Sequence, residues 1–142
     1  MDHGARRPAG ITALVVFSFV AAAIALTAAV SLAFPDGALE PIWRVNPRAR
    51  EVFGRIGFAA VALMIVLSVA CVVTGEGLRR GARWGYVLAI AGLAFQMLGD
   101  VVNTVFGIEP RAVIGIPIAG ALILYLTTGR VRRFFAPRRV SP

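Results

Sequence analysis

Four long runs of apolar residues alternate along the chain with short segments that hold most of its charge. A run of about 18 or more apolar residues is long enough to cross a bilayer as one helix. The pattern therefore predicts an all-α, polytopic membrane protein, a four-transmembrane-helix bundle that forms a single membrane domain over residues 1–142. Its predicted segments are spans at 11–34, 56–74, 85–107 and 112–128, an outer loop with an interfacial helix at 35–55, and a basic cytoplasmic tail at 129–142.

The first predicted span follows Arg6 and Arg7, so a cleaved signal peptide is its alternative interpretation. Its apolar run is longer than the ~7–15 residues of a signal peptide's hydrophobic region, which favours an uncleaved anchor. Small residues recur along one side of this span and form a seam suited to close helix packing. They are Ser18, Ala22, Ala25, Ala29 and Ala33.

The outer loop and the end of the second span contain short local signals. Asn46 followed by Pro47 predicts an N-cap and the first residue of a helix that leads towards the second span. Glu40 either binds a ligand or pairs with Arg44, and we favour the pairing. The glycine-rich sequence at 75–77 predicts a break at the end of the second span.

The charge pattern indicates how the spans are oriented. All 15 basic residues are arginine, and the net charge is +8. With residues 1–10 inside, ten arginines face the cytoplasm and five face outwards, which matches the positive-inside rule and predicts an N-in, C-in topology. A basic chain can bind nucleic acid, but these arginines lie between apolar runs and not on one soluble face, so we expect no nucleic-acid partner.

The third predicted span differs from the others because it contains Gln96, Asp100 and Asn103. Their i, i+4 and i+7 spacing puts them within about 60° of one another on a helix. Gly92 and Gly99 fall on the same side. An aspartate in hydrocarbon costs about 2.5–3.5 kcal/mol on insertion scales, so this face should point into protein or trapped water. It is the candidate polar intramembrane site.

Asp100 has a structural and a functional interpretation. In the structural one, which we favour, it forms hydrogen bonds within the bundle and pairs with an arginine near the outer surface. The candidate partners are Arg111, Arg55 and Arg44. In the functional one it binds a proton or a cation, the default hypothesis for a carboxylate inside a membrane.

The remaining residue types exclude most catalytic chemistry. His3 is the single histidine, so a haem held by two histidines is excluded. A catalytic metal needs several ligands, and His3 and the single cysteine, Cys71, are far apart in the sequence. A Ser-His-Asp or Cys-His set lacks its histidine in the membrane for the same reason. We therefore expect no catalytic residues, no metal site, no cofactor and no enzyme activity.

The tail has a cluster of arginines that suits a negatively charged membrane surface. Each such charge contributes about 1 kcal/mol of attraction to anionic lipid headgroups. The cluster would therefore anchor the topology and bind anionic lipids at the cytoplasmic face of the bilayer. Its members are Arg130, Arg132, Arg133, Arg138 and Arg139.

In size, span number and its single intramembrane carboxylate, the chain is similar to the small multidrug-resistance transporters. That family has its essential glutamate in the first span, where this chain has no acid, so no site is transferred from it. The unequal arginine counts also differ from its dual-topology members. More generally the chain resembles small four-span proteins of bacterial inner membranes, and the resemblance implies a multi-pass protein of that membrane.

Taken together, these patterns predict a non-enzymatic integral membrane protein, an accessory or scaffolding subunit that packs with itself or with a membrane-protein partner. One alternative is a small proton- or cation-coupled transporter that uses Asp100. The other is a membrane protein that binds anionic lipids through its basic cytoplasmic rim.

Overall fold

Helices make up most of the computed structural model, which describes residues 8–105 and 112–136. No strand occurs within these ranges, so the predicted all-α class is confirmed for them. The helices are α1 Ala9–Ala33, a short 3-10 helix Glu40–Arg44, α2 Pro47–Ile56, α3 Phe58–Arg79, α4 Arg83–Val105, α5 Ala112–Thr127 and α6 Gly129–Phe134.

Three of these helices, α1, α3 and α4, are long and apolar enough to cross a membrane. The mean hydropathy of an 18-residue stretch of α4 is 1.6, against 2.5 for such a stretch in each of the other two, because α4 contains the polar residues noted above. The 16-residue α5 is apolar but shorter than a full span. The helices therefore indicate insertion into a membrane, and three of them have the length of a span.

The described residues group into two compact units. The central unit covers residues 14–75, and the terminal unit combines residues 8–13 with the described residues from 76 onwards.

The central unit is built on the predicted seam of small residues in α1. Four of its five members are buried, and only Ala33, at the end of the helix, is exposed. The hydroxyl of Ser68 on α3 donates a hydrogen bond of 2.9 Å to the carbonyl of Ala22 on α1. Ala29, Val61 and Met64 form a buried apolar cluster nearby. Small side chains thus let α1 and α3 pack closely, as the sequence predicts.

The segment between α1 and α3 contains the predicted helix start. The side chain of Asn46 accepts a hydrogen bond of 3.1 Å from the backbone N–H of Ala49, which confirms the N-cap. The indole N–H of Trp43 donates a hydrogen bond of 2.8 Å to the hydroxyl of Ser31 on α1. The Trp43 ring also packs edge to face against Phe53 of α2, with 6.0 Å between ring centroids. These contacts hold the segment against the end of α1.

The break predicted at 75–77 is wrong, because α3 continues through these residues. The chain turns instead at Gly81, whose φ of 67° is left-handed. The N–H of Gly81 donates to the carbonyl of Leu78 at 3.1 Å, and the N–H of Ala82 donates to that of Gly77 at 2.9 Å. This pair of bonds is a Schellman motif, which a glycine in the left-handed region completes.

Gly77 does not end α3; it allows α3 to pack closely against α4. A Cβ atom added at Gly77 would collide with the backbone of Gly85 on α4, and one added at Gly85 would collide with the backbone of Gly77. The two helices therefore meet backbone to backbone at this point. Only glycine allows so close an approach.

In the terminal unit, α5 packs along α4, and α6 packs against the end of this pair. The hydroxyl of Tyr86 on α4 donates a hydrogen bond of 3.1 Å to the carbonyl of Leu126 on α5. Its ring stacks on Phe135, just after α6, at 5.1 Å between centroids. Val131 and Phe135 are buried, so one side of α6 is fixed to α4 and α5.

Candidate functional site

The carboxylate of Asp100 lies between α4 and α5, and only 7% of the residue is exposed. Gln96, one turn earlier on α4, donates a hydrogen bond of 3.0 Å from its side-chain amide to one carboxylate oxygen, Oδ1. The i, i+4 spacing that predicted a shared face therefore produces a direct contact.

The opposite wall of the site is the backbone of α5. A Cβ atom added at Gly115 would collide with Oδ2 of Asp100. The carboxylate thus packs directly onto α5, and it does so because position 115 has no side chain. Sequence reasoning did not assign Gly115 to the site; a helical glycine facing a buried carboxylate is recognisable only once α4 and α5 are aligned.

The second carboxylate oxygen, Oδ2, is buried and has no hydrogen-bond donor among the described residues. The hydroxyl of Thr104 lies nearby on α4, but it donates to the backbone carbonyl of Asp100, at 2.7 Å, and not to the carboxylate. Burial of an ionised carboxylate with incomplete hydrogen bonding is costly. A proton or a cation at Oδ2 would remove that cost, so the arrangement suits a group that binds one of them.

Asn103 lies further along the same side of α4 and is partly buried. Within the described ranges its side chain makes no hydrogen bond to Asp100 or Gln96. The structure thus brings together two of the three predicted polar residues.

The proposed arginine partners of Asp100 are placed as follows. Arg111 lies outside the described residues. Arg55 forms an ion pair with Glu51 at 2.5 Å, one turn away on α2. Arg44 is an exposed residue of the central unit. An ion pair between Asp100 and any of these arginines stays a prediction.

Part of the surrounding α4 surface is open. Gly92, Gln96 and Gly99, which we call the open face of α4, are all exposed. Apart from the adjoining backbone of α4 itself, no atom of the described residues lies within 4 Å of where a Cβ would stand on Gly92 or Gly99. Within the described residues, no other helix packs closely on these glycines, and the buried residues Ala89 and Asp100 lie on a neighbouring strip of α4.

Glu40 pairs with a different arginine from the one predicted. Its carboxylate accepts a hydrogen bond of 3.1 Å from Arg50 of α2, and not from Arg44. The correction follows from the fold, because α2 turns back and brings Arg50 to the 3-10 helix. A shallow pocket of about 530 Å³ lies beside the pair and is lined also by Trp43 and Arg44.

The predicted lipid-binding arginines divide into two groups. Arg130, Arg132 and Arg133 are exposed on α6. Arg138 and Arg139 lie outside the described residues. Within the described ranges, no group of three or more His, Cys, Asp or Glu side chains could hold a metal ion.

Comparison of the chain with models of protein families, with curated proteins and with solved structures finds no match. The function must therefore be inferred from the geometry of the chain itself.

Proposed function

We propose that the protein is a non-enzymatic, multi-pass membrane protein that acts as an accessory or scaffolding subunit by packing α4 against another transmembrane helix. In this proposal α5 is the fourth span, the segments before α1 and after α5 are cytoplasmic, and the membrane is a bacterial inner membrane. The observation that carries the proposal is the open face of α4.

The open face suits a second helix better than it suits lipid. Glycines at 92 and 99 are two turns apart on one side of α4, where they would let another backbone approach closely. The amide of Gln96 lies between them. One of its N–H groups is bonded to Asp100, but its second N–H and its carbonyl oxygen would still need polar partners in hydrocarbon. A covering helix satisfies both requirements.

We take the covering helix to be α4 of a second copy. An amide group both donates and accepts hydrogen bonds, so Gln96 can pair with its own counterpart across a two-fold axis. A flat glycine surface is likewise complementary to itself. The same surface could receive a helix of another membrane protein, and the test below separates the two cases.

Gly99→Leu should weaken self-association about ten-fold or more, because the new side chain would hold the two backbones apart. The chain's own fold should be unaffected, since the position is open. The measurement is the mass of the purified protein in mild detergent by light scattering, as a function of concentration.

The matched control is Ala94→Leu, which adds the same side chain to another exposed small residue of α4 on the opposite side. It should leave the mass unchanged. A monomeric wild type without a co-purifying protein would contradict the proposal. Purification in a stoichiometric complex with a different membrane protein would support the scaffolding role, but it would show that the covering helix belongs to that protein and not to a second copy.

The proposed topology predicts the behaviour of reporter fusions. A fusion after residue 128 should be active only with a cytoplasmic reporter, and one within residues 36–46 only with an exported reporter. Activity of an exported reporter at both positions would mean that α5 does not cross the membrane.

A second candidate function is a small proton- or cation-coupled transporter. It is favoured by one specific observation, the buried Oδ2 atom of Asp100 that has no hydrogen-bond donor among the described residues. A carboxylate that must be ready to gain and lose a proton or a cation is better left without a permanent partner on one oxygen.

A further inference from the structure

A second pocket, of about 410 Å³, opens in the terminal unit where α4 begins and α5 ends. Two of its lining side chains are arginines from different helices, and two are aromatic. It is lined by Arg83, Tyr86, Thr127, Arg132, Phe135 and Ala136.

The walls of this pocket are held in place by contacts already described. Tyr86 and Phe135 stack on each other, and the Tyr86 hydroxyl is bonded to the carbonyl of Leu126. Phe134 packs edge to face on Phe135, at 5.0 Å between centroids. Because these rings fix α6, Arg132 of α6 lines the same pocket as Arg83 at the start of α4.

The two arginines are free to bind a ligand. The side chain of neither Arg83 nor Arg132 forms an ion pair or a hydrogen bond within the described ranges. The nearest acid in sequence to Arg83, Glu76, is engaged by Arg80 at 2.6 Å. The hydroxyl of Thr127 donates to the carbonyl of Leu124 at 2.8 Å, so the guanidinium groups are the donors that the pocket offers.

We propose that this pocket binds the phosphate group of an anionic phospholipid through Arg83 and Arg132. A guanidinium group presents a planar pair of N–H donors that matches phosphate oxygens. In a membrane this end of α4 would lie at the level of the headgroups, because Trp84, the residue after Arg83, is 47% exposed and tryptophan is enriched at that level. The site requires that the chain lie in a membrane, but it does not require α4 to self-associate.

The test is a titration of the delipidated protein in detergent with phosphatidylglycerol and, separately, with phosphatidylcholine, read out by native mass spectrometry. The wild type should bind phosphatidylglycerol about ten-fold more tightly than phosphatidylcholine. Arg83→Gln and Arg132→Gln should each weaken the binding of phosphatidylglycerol about five-fold or more, because each removes a charged group that donates hydrogen bonds directly to the phosphate. The affinity of Arg83→Lys for phosphatidylglycerol should lie between those of the wild type and Arg83→Gln, because lysine keeps the charge but lacks the planar pair of N–H donors.

Arg130→Gln is the matched control, since Arg130 is an exposed residue of the same helix that does not line the pocket. It should change the affinity by less than about two-fold. Equal losses for Arg130→Gln and Arg132→Gln would show that diffuse charge attracts the lipid and would overturn the pocket. Equal binding of the two lipids would do the same.

Competition with inorganic phosphate tests whether the pocket binds a phospholipid headgroup or free phosphate. At millimolar concentration it should leave bound phosphatidylglycerol in place. Displacement from the wild type would show that the pocket takes free phosphate and that the lipid assignment is wrong. Each variant is first melted without lipid. If Arg83→Gln or Arg132→Gln melts like the wild type and still binds phosphatidylglycerol normally, the proposal is also overturned.

Discussion

Gly85→Ala is expected to destabilise the folded protein by about 3 kcal/mol, although it adds a single methyl group. The new Cβ would collide with the backbone of Gly77 and Leu78 on α3. A side chain could rotate away from such a contact, but a backbone cannot, so α3 and α4 would have to separate. Overpacking costs typically about 1–3 kcal/mol, and a backbone collision belongs at the upper end. The measurement is the free energy of unfolding in detergent at fixed protein concentration.

Gly120→Ala is the matched control for this substitution. Gly120 also lies inside an apolar helix of the terminal unit, but outside the adjoining backbone of α5 no described atom lies within 4 Å of its missing Cβ. Both substitutions gain up to about 1 kcal/mol of helix propensity, so the difference between them isolates the collision. Gly120→Ala should be neutral or slightly stabilising. Equal destabilisation by both would mean that α3 and α4 do not meet at Gly77.

Asp100→Asn should preserve the fold and abolish proton flux, if the protein is the transporter of the second proposal. The remaining oxygen of the asparagine can still accept the hydrogen bond from Gln96. The amide nitrogen replaces an oxygen that has no donor to lose, so the free energy of unfolding should change by less than about 1 kcal/mol. Asparagine cannot take up a proton, and flux should fall to background. The measurements are melting in detergent and flux in reconstituted vesicles under an imposed pH gradient.

Asp100→Leu provides the structural comparison, because it removes the acceptor for Gln96 and places a larger apolar side chain against Gly115. It should cost about 1–3 kcal/mol. If Asp100→Asn is equally destabilising, the charge of Asp100 is used in an ion pair, and the structural interpretation with Arg111 is favoured. If the wild type shows no flux at all, the transporter proposal is wrong.

The features that could be predicted from the sequence depend on local patterns. Apolar runs identified three helices of membrane-spanning length, and the pair Asn46 and Pro47 identified the start of α2, because a helix start depends on a few adjacent residues. The seam along α1 followed from the spacing of small residues. The contact of Gln96 with Asp100 followed in the same way from their position on one helix face.

The features that were missed depend on which helices are neighbours. A glycine can end a helix or let another helix approach closely. Gly77 has the second role because the backbone of Gly85, on the next helix, lies against it. The partner of Glu40 depended on the direction of α2, and the wall of the Asp100 site depended on the alignment of α5 with α4. Single-helix periodicity contains none of this information.

Gly57 separates the polar α2 from the apolar α3 with a φ of 59° and a ψ of −131°, a conformation that side chains disfavour. In one continuous helix, each inserted residue would rotate everything after it by about 100°. Because the interruption at Gly57 ends α2 before α3 begins, the face of α3 that meets α1 is not fixed by the helical rotation of α2. An insertion within α2 is therefore expected to leave the α1–α3 seam in place, provided that Gly57 is retained at the junction.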